Sequence, residues 1–301
     1  MNNKYSSVVA KFWVFIFLLG LCVVPPRSFA GETSVEHKRN LVDATPLPLS
    51  LQNEYLIPRE KGSLLLLTAF EMRHQWIAPV SGYQGNLVKF GSLRLDYFLS
   101  KNVVFQIRGS FFQQLRFREE NGSSRAANDS RTVQDVEDFH VSTIATFLSE
   151  QRYRPAIGLR IDTRLPNSNQ KKGLGTNTTD IFLALLTTKS FRSMWLFGEV
   201  GVGILTAPRV LNRQNDVLIY GVGMILNLAH NLQIAAGVSG MVSTKESVEI
   251  GTENRGIVQI GLHWKFPDFA LEVFPQYGLH ERSGTFGLRA GLGWQLNFLK
   301  N

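Results

Sequence analysis

From residue 63 onward, apolar and polar residues alternate with a period of two, and the alternation restarts after every interruption. Residues 285–298 show it best. Phe286, Leu288, Ala290, Leu292, Trp294, Leu296 and Phe298 fall on one face; Gly287, Arg289, Gly291, Gly293, Gln295 and Asn297 fall on the other. Successive side chains of an extended chain point to opposite sides, so this period predicts a strand. The stretch is longer than the roughly 5–6 residues of an ordinary soluble strand. It suits a tilted membrane-crossing strand, which takes about 9–11 residues.

Eleven further stretches precede it: 63–74, 87–99, 103–118, 136–148, 155–165, 180–188, 194–206, 217–228, 232–243, 256–266 and 269–279. In the third, Phe105, Ile107, Phe111, Leu115 and Phe117 are expected to face outward, against Gln106, Arg108, Ser110, Gln114 and Arg116. The sixth, 180–188, is the least clear because both its faces are apolar. About twelve strands is an even number, as in single-chain outer-membrane barrels. The connections alternate long and short. Ser100-Lys101-Asn102, Ala229-His230-Asn231 and Pro267-Asp268 are tight, whereas 75–86, 119–135, 166–179, 207–216 and 244–255 are long and mostly polar. Short turns on one side and longer loops on the other fit a barrel, and a Greek-key sandwich has no reason to alternate this way. The predicted fold class is therefore all-β: a transmembrane, antiparallel, up-and-down β-barrel of about 12 strands, spanning 63–301. Aromatic residues at the short-turn ends, among them Tyr97, Phe98, Phe147, Tyr153, Phe191, Phe266, Phe269, Trp294 and Phe298, form the expected interfacial girdle.

The N-terminus changes the compartment. Lys4 and Lys11 precede an apolar run, 12–24, and Ser28-Phe29-Ala30 forms a small-x-small cleavage site. Residues 1–30 therefore read as a secretory signal peptide. Cleavage would remove Cys22, the one cysteine, leaving no thiol or disulfide chemistry. Losing Lys4, Lys11 and Arg27 would lower the formal charge from +8 to +5. Residues 31–62, polar and punctuated by proline, are expected to form a periplasmic segment or a plug. No apolar run after Ala30 is long enough for a membrane helix, so a membrane form requires a closed barrel.

The polar faces carry charge of both signs. A charged side chain facing lipid at mid-depth costs about 2–4 kcal/mol for Arg or Lys, so these residues are expected to point inward. Arg94, Asp96, Arg108, His140, Arg160, Asp162, Glu199, Glu272 and Arg289 are the lumen-lining candidates; Glu71, Arg73, Arg116, Asp138, Arg164 and Lys265 share the pattern. Such a lumen is narrow or closed, and an inward charge is more often a paired structural group than a ligand contact.

His140-Val141-Ser142 is the one constellation with nucleophile chemistry, since alternate strand residues share a face. Outer-membrane lipid hydrolases place a His-x-Ser on the lipid side, followed by Asn; here Thr143 follows, and Phe139 and Val141 take the lipid face. No enzymatic site is predicted. The remaining histidines are dispersed without metal-ligand spacing, Gly221-Val222-Gly223 lies within a strand rather than a phosphate loop, and no cofactor is implied. Basic loop residues, including Arg125, Arg131, Lys171, Lys172, Arg209 and Arg213, suit lipopolysaccharide phosphates or plain solvation. An exported, strand-rich chain is a poor candidate for binding nucleic acid.

Near the middle, Arg154-Pro155-Ala156-Ile157-Gly158, Thr163-Arg164-Leu165-Pro166-Asn167, Gly173-Leu174-Gly175-Thr176-Asn177 and Asp180 resemble the central signature of the phenol-degradation (MetA-pathway) outer-membrane proteins. The chain departs from it at Asn167-Ser168, where the family has Thr-Gly. The resemblance implies a Gram-negative outer-membrane barrel that passes aromatic or apolar compounds. It supplies no binding residues. Expected partners are outer-membrane lipids, lipopolysaccharide and an unidentified small solute. The alternatives are a closed barrel with a structural or surface-interaction role and, lower, a lipid-acting hydrolase. Mass spectrometry of the exported protein should find Gly31 at the N-terminus and no adduct after thiol alkylation. Alkylation at Cys22 would refute cleavage after Ala30.

Overall fold

The computed structural model describes residues 56, 58–118, 130–207, 214–245 and 248–297. Among them are β1 (Ser63–Ile77), β2 (Gln84–Ser100), β3 (Val103–Arg118), β4 (Ser130–Asp135), β5 (His140–Leu148), β6 (Ala156–Arg164) and β7 (Asp180–Phe191). They continue with β8 (Met194–Thr206), β9 (Gln214–Ala229), β10 (Leu232–Ser243), β11 (Arg255–Lys265), β12 (Ala270–Gly278) and β13 (Phe286–Asn297). Single 3₁₀ turns lie at Gln170–Lys172, in the long loop between β6 and β7, and at Glu281–Ser283, in the short connection between β12 and β13.

Neighbouring strands pair antiparallel around the ring, and β1 pairs β13 from Ser63 opposite Asn297 to Arg73 opposite Gly287. That pairing closes the sheet into a 12-stranded barrel. Strands β4 and β5 share one position: β5 pairs with β3 over Val103 to Arg108, and β4 pairs with β3 over Gln113 to Arg118. The expected fourth strand, 136–148, is therefore corrected. Residues 136–139 interrupt it, and strand pairing resumes within what reads as loop 119–135. The tight turns fall at one end of the barrel and the long loops at the other. The first long loop is shorter than expected, 78–83, because β1 and β2 extend past their apolar cores.

The outer wall is apolar. Leu183, Leu185, Val200, Val202, Ile260, Leu262 and Val273 are all exposed. A contiguous exposed apolar band is untenable in water and suits lipid. Phe147, Tyr153 and Phe191 are exposed near the short-turn end, and Phe266 stacks on Phe269 with ring centroids 4.6 Å apart. Phe98 does not join this girdle. It points inward against Leu65 and Leu67. Phe298 lies outside the described residues.

Simple alternation fails in one band. Gly91 in β2 has φ +61°, a left-handed conformation that glycine adopts without strain, and the β1–β2 register shifts by one residue between Ala69 and Glu71. One extra residue exchanges the faces of everything beyond it. Ser92, Arg94 and Asp96 are inward on one side of this point, and Leu87 on the other. The exchange continues through Phe111-Phe112 of β3 and the 136–139 interruption. Leu115 and Phe117 consequently face inward, and Arg116 is exposed outside, which reverses the expected assignment for this end of β3.

Packing also explains why both faces of β7 are apolar. Its inward residues Phe182, Ala184 and Leu186 form a buried cluster with Ile144, Leu205 and Ile219. Leu56 joins them from within the barrel, and its amide donates to Thr188 Oγ1 at 2.8 Å. Arg59 Nη1 donates to Gln295 Oε1 at 2.8 Å. The short-turn mouth is thus occupied by Leu56 and Arg59; residues 31–55 lie outside the described residues.

Leu185 is half-exposed at the centre of β7, opposite Val200. Leu185→Arg should destabilise the barrel by about 2–4 kcal/mol in reversible urea unfolding from lipid vesicles, and Leu185→Ile should be nearly neutral. Equal stability of the two variants would show that this face does not meet lipid.

Candidate functional site

Closure of the sheet brings the inward charges of β1 to β8 and of β13 together along the lumen. In β2, Arg94 grips Asp96 through Nε, which donates to Oδ1 at 3.1 Å and Oδ2 at 3.2 Å, and through Nη2, which donates to Oδ2 at 3.0 Å; Gln106 Nε2 also donates to Oδ1 at 2.9 Å. Arg108 Nη2 on β3 donates to Asp162 Oδ2 on β6 at 2.7 Å, spanning the intervening β5. Arg160 Nη1 lies 3.2 Å from Glu199 Oε2, and Arg164 pairs with Asp180. Glu71 is shared. Arg73 Nε donates to its Oε1 at 2.6 Å, and Arg289 Nη1 lies 3.5 Å from its Oε2 across the closing ladder. Pairing is what makes these charges tolerable: an isolated buried charge costs several kcal/mol, which a partner with good geometry offsets.

The nine candidates all point inward. Arg108, His140, Arg160, Asp162 and Glu199 line a chamber of about 370 Å³ in the half of the barrel nearer the long loops. Arg94 and Arg289 line a second cavity of about 240 Å³. Asp96 lies beyond it towards the short-turn end, beside Leu56 and Arg59. Glu272 is apart from both cavities, with His263 Nδ1 2.9 Å from its Oε1. Lys89 and Glu137, paired at 2.6 Å, also line both cavities. Strict alternation from Arg94 hides Lys89, because it lies beyond the register change at Gly91.

His140 and Ser142 do not form a nucleophile and base. Asp162 stands between them: Ser142 Oγ donates to its Oδ1 at 2.9 Å, and His140 Nδ1 is 3.1 Å from its Oδ2. A serine nucleophile needs its proton directed at the base, and here it is directed at the carboxylate. Among the described residues, no three His, Cys, Asp or Glu side chains are grouped to hold a metal ion.

No protein-family model matches the sequence, and no curated protein matches it. Solved structures do match by shape. The NanC porin superposes with a TM-score of 0.50 at 8% identity, covering 78% of this chain and 100% of that one. The transport unit of the autotransporter AIDA-I from Escherichia coli gives 0.47 at 10% identity, covering 83% and 94%. The CymD monoaromatic hydrocarbon channel gives 0.42 at 8% identity, covering 80% and 89%. The fold is that of a porin-like β-barrel.

Asp138, in the interruption between β4 and β5, organises the loop over the chamber. Its Oδ1 accepts the amides of Asn167 at 3.0 Å and Ser168 at 2.8 Å. Its Oδ2 accepts those of Thr176 and Asn177, both at 3.0 Å. One carboxylate thus ties the two limbs of loop 165–179 together where β4, among the described residues, pairs with β3 alone. Gly175 fits only as glycine, since a Cβ there would lie 2.1 Å from Ser168 Oγ. The loop carries Leu174 into a cluster with Trp76, Leu87, Leu115 and Phe117, which packs one side of the chamber's outer end. The stretch 173–177 stands out in the sequence as a turn-rich motif, but nothing there identifies Asp138 as its anchor.

Burial alone would raise the Asp138 carboxyl; the hydrogen bonds from Ser168 and Asn177, with the nearby Arg164 guanidinium, outweigh it and hold the group below the usual carboxylate range. A folded value below the unfolded one gives stability that is fully present above the unfolded value, about 3.9, and is lost as pH falls through the folded one. The loop should therefore resist protease at neutral pH and become cleavable only below about pH 4. Asp138→Ala should make 165–179 cleavable at pH 7, at a local cost of roughly 2–5 kcal/mol, because four amides lose their acceptor. An uncleaved loop in that variant would show that Asp138 is not its anchor.

Proposed function

We propose that this protein is a Gram-negative outer-membrane channel that passes small molecules with aromatic or apolar bodies. The observation that carries this is a closed barrel whose outer wall is apolar and whose interior holds a charged chamber of about 370 Å³. A barrel that only needed to be stable has no use for many ion pairs around an internal space, since apolar packing of similar volume is often as stable as a buried pair. The aromatic or apolar body is supported by the apolar part of the chamber wall, Phe182, Ile219 and Ile257, and by the resemblance of 154–180 to the phenol-degradation outer-membrane proteins. The exposed side chains of Lys171 and Arg131 at the long-loop end suit lipopolysaccharide phosphates.

A closed barrel with a surface role is the second reading. It is favoured by the packing of Leu56 at one end and Leu174 at the other. Planar-bilayer recording of the refolded mature protein separates the two. A barrel that runs at different mobility before and after heating and gives stepwise currents supports the channel. The same mobility shift with no current to any ion, and no uptake of small solutes into vesicles, supports the closed barrel.

A further inference from the structure

The ion pairs of the chamber wall are layered. Arg108 keeps 29% of its side-chain surface open, whereas its partner Asp162 keeps 1%. Arg164 keeps 16% and Asp180 none. In the second cavity, Arg289 keeps 12%, and Glu71, which lines both cavities, keeps 4%. In these pairs the carboxylate lies against the barrel wall and the guanidinium stands in front of it. Lys89 and Glu137 run the other way, and Arg160 and Glu199 are equally covered. A solute in the chamber therefore meets the Arg108 and Arg164 guanidiniums ahead of their own carboxylates, with Glu137, 32% open, as the one forward carboxylate among these pairs, at short range where electrostatic interaction is strong.

The wall beside them is apolar. Phe182, Ile219, Met241 and Ile257 line the same chamber, and the His140 and Phe182 rings lie 6.0 Å apart at the boundary. A guanidinium presents planar, paired donors that match a carboxylate. The chamber volume falls at the lower end of the roughly 300–1,000 Å³ of small-molecule sites.

From this arrangement we infer that the chamber is a binding site for small organic carboxylates carried on a ring-sized apolar body, with Arg108 receiving the carboxylate and Phe182 and Ile219 the ring. The inference rests on the channel reading for its biological sense but not for its test.

Benzoate is the probe, and benzyl alcohol is its uncharged counterpart. Calorimetric titration of the purified, heat-modifiable barrel should detect benzoate at least tenfold tighter than benzyl alcohol. Arg108→Gln should weaken benzoate at least tenfold and leave benzyl alcohol unchanged. Ser239→Glu, at a chamber position that belongs to none of these ion pairs, adds a negative charge and should weaken benzoate comparably. Equal binding of benzoate and benzyl alcohol, or unchanged benzoate binding in both variants, overturns the inference. Bilayer currents keep the two readings separate. Benzoate binding without any current sinks the channel and leaves this site, whereas cation-selective currents without benzoate binding do the reverse.

Discussion

A strand in lipid has no water to satisfy its edge, and every unpaired amide or carbonyl there costs several kcal/mol. The ladder between β1 and β13 removes the last open edge, and the rest of the structure depends on it. Once the ring is closed, each residue faces either lipid or lumen. The apolar set outside and the charged set inside follow from that division. The shared Glu71 is part of the closure itself, because Arg289 reaches it directly across this ladder.

Inside, the chain divides the lumen by chemistry. Apolar side chains fill the region around Leu56, Ala184 and Leu186, and a second apolar cluster forms around Trp76 and Leu174. The paired charges occupy the space between. Among the described residues, that is where polar groups line open space, which suits water or a solute. At two of the pairs the covered carboxylate backs the arginine: Asp162 lies behind Arg108, and Asp180 behind Arg164.

Much of this was legible in the sequence. Alternation located nearly every strand, and the rhythm of long and short connections gave the up-and-down order and the two ends. The inward direction of a charge was legible because a lone charge in an otherwise apolar strand has one acceptable direction; which of the nine candidates share a cavity was not, since Glu272 lies apart from both. The features that escaped are those that break local rules. Gly91 and the Phe111-Phe112 pair exchange the faces of β2 and β3, which turns Leu115 and Phe117 inward and hides Lys89. Asp138 takes its partners 29 to 39 residues away, among backbone amides that have no side-chain signature. The sixth stretch looked ambiguous because its inward face packs against other apolar residues instead of lining water. The partners within the charge network depend on three-dimensional register, which a single alternating pattern cannot supply.

The closing ladder also sets an order of events in the life of the chain. Residue 63 finds its partner at residue 297, so this pairing joins the two ends of the barrel sequence. Until β13 arrives, β1 carries an open edge, and each intermediate presents two sticky edges and a wide apolar face. Contacts so distant in sequence form slowly, and open edges of this kind recruit other chains. The chain is therefore at greatest risk of pairing with another chain just before it is whole, when both edges are open and the final strand has yet to meet the first.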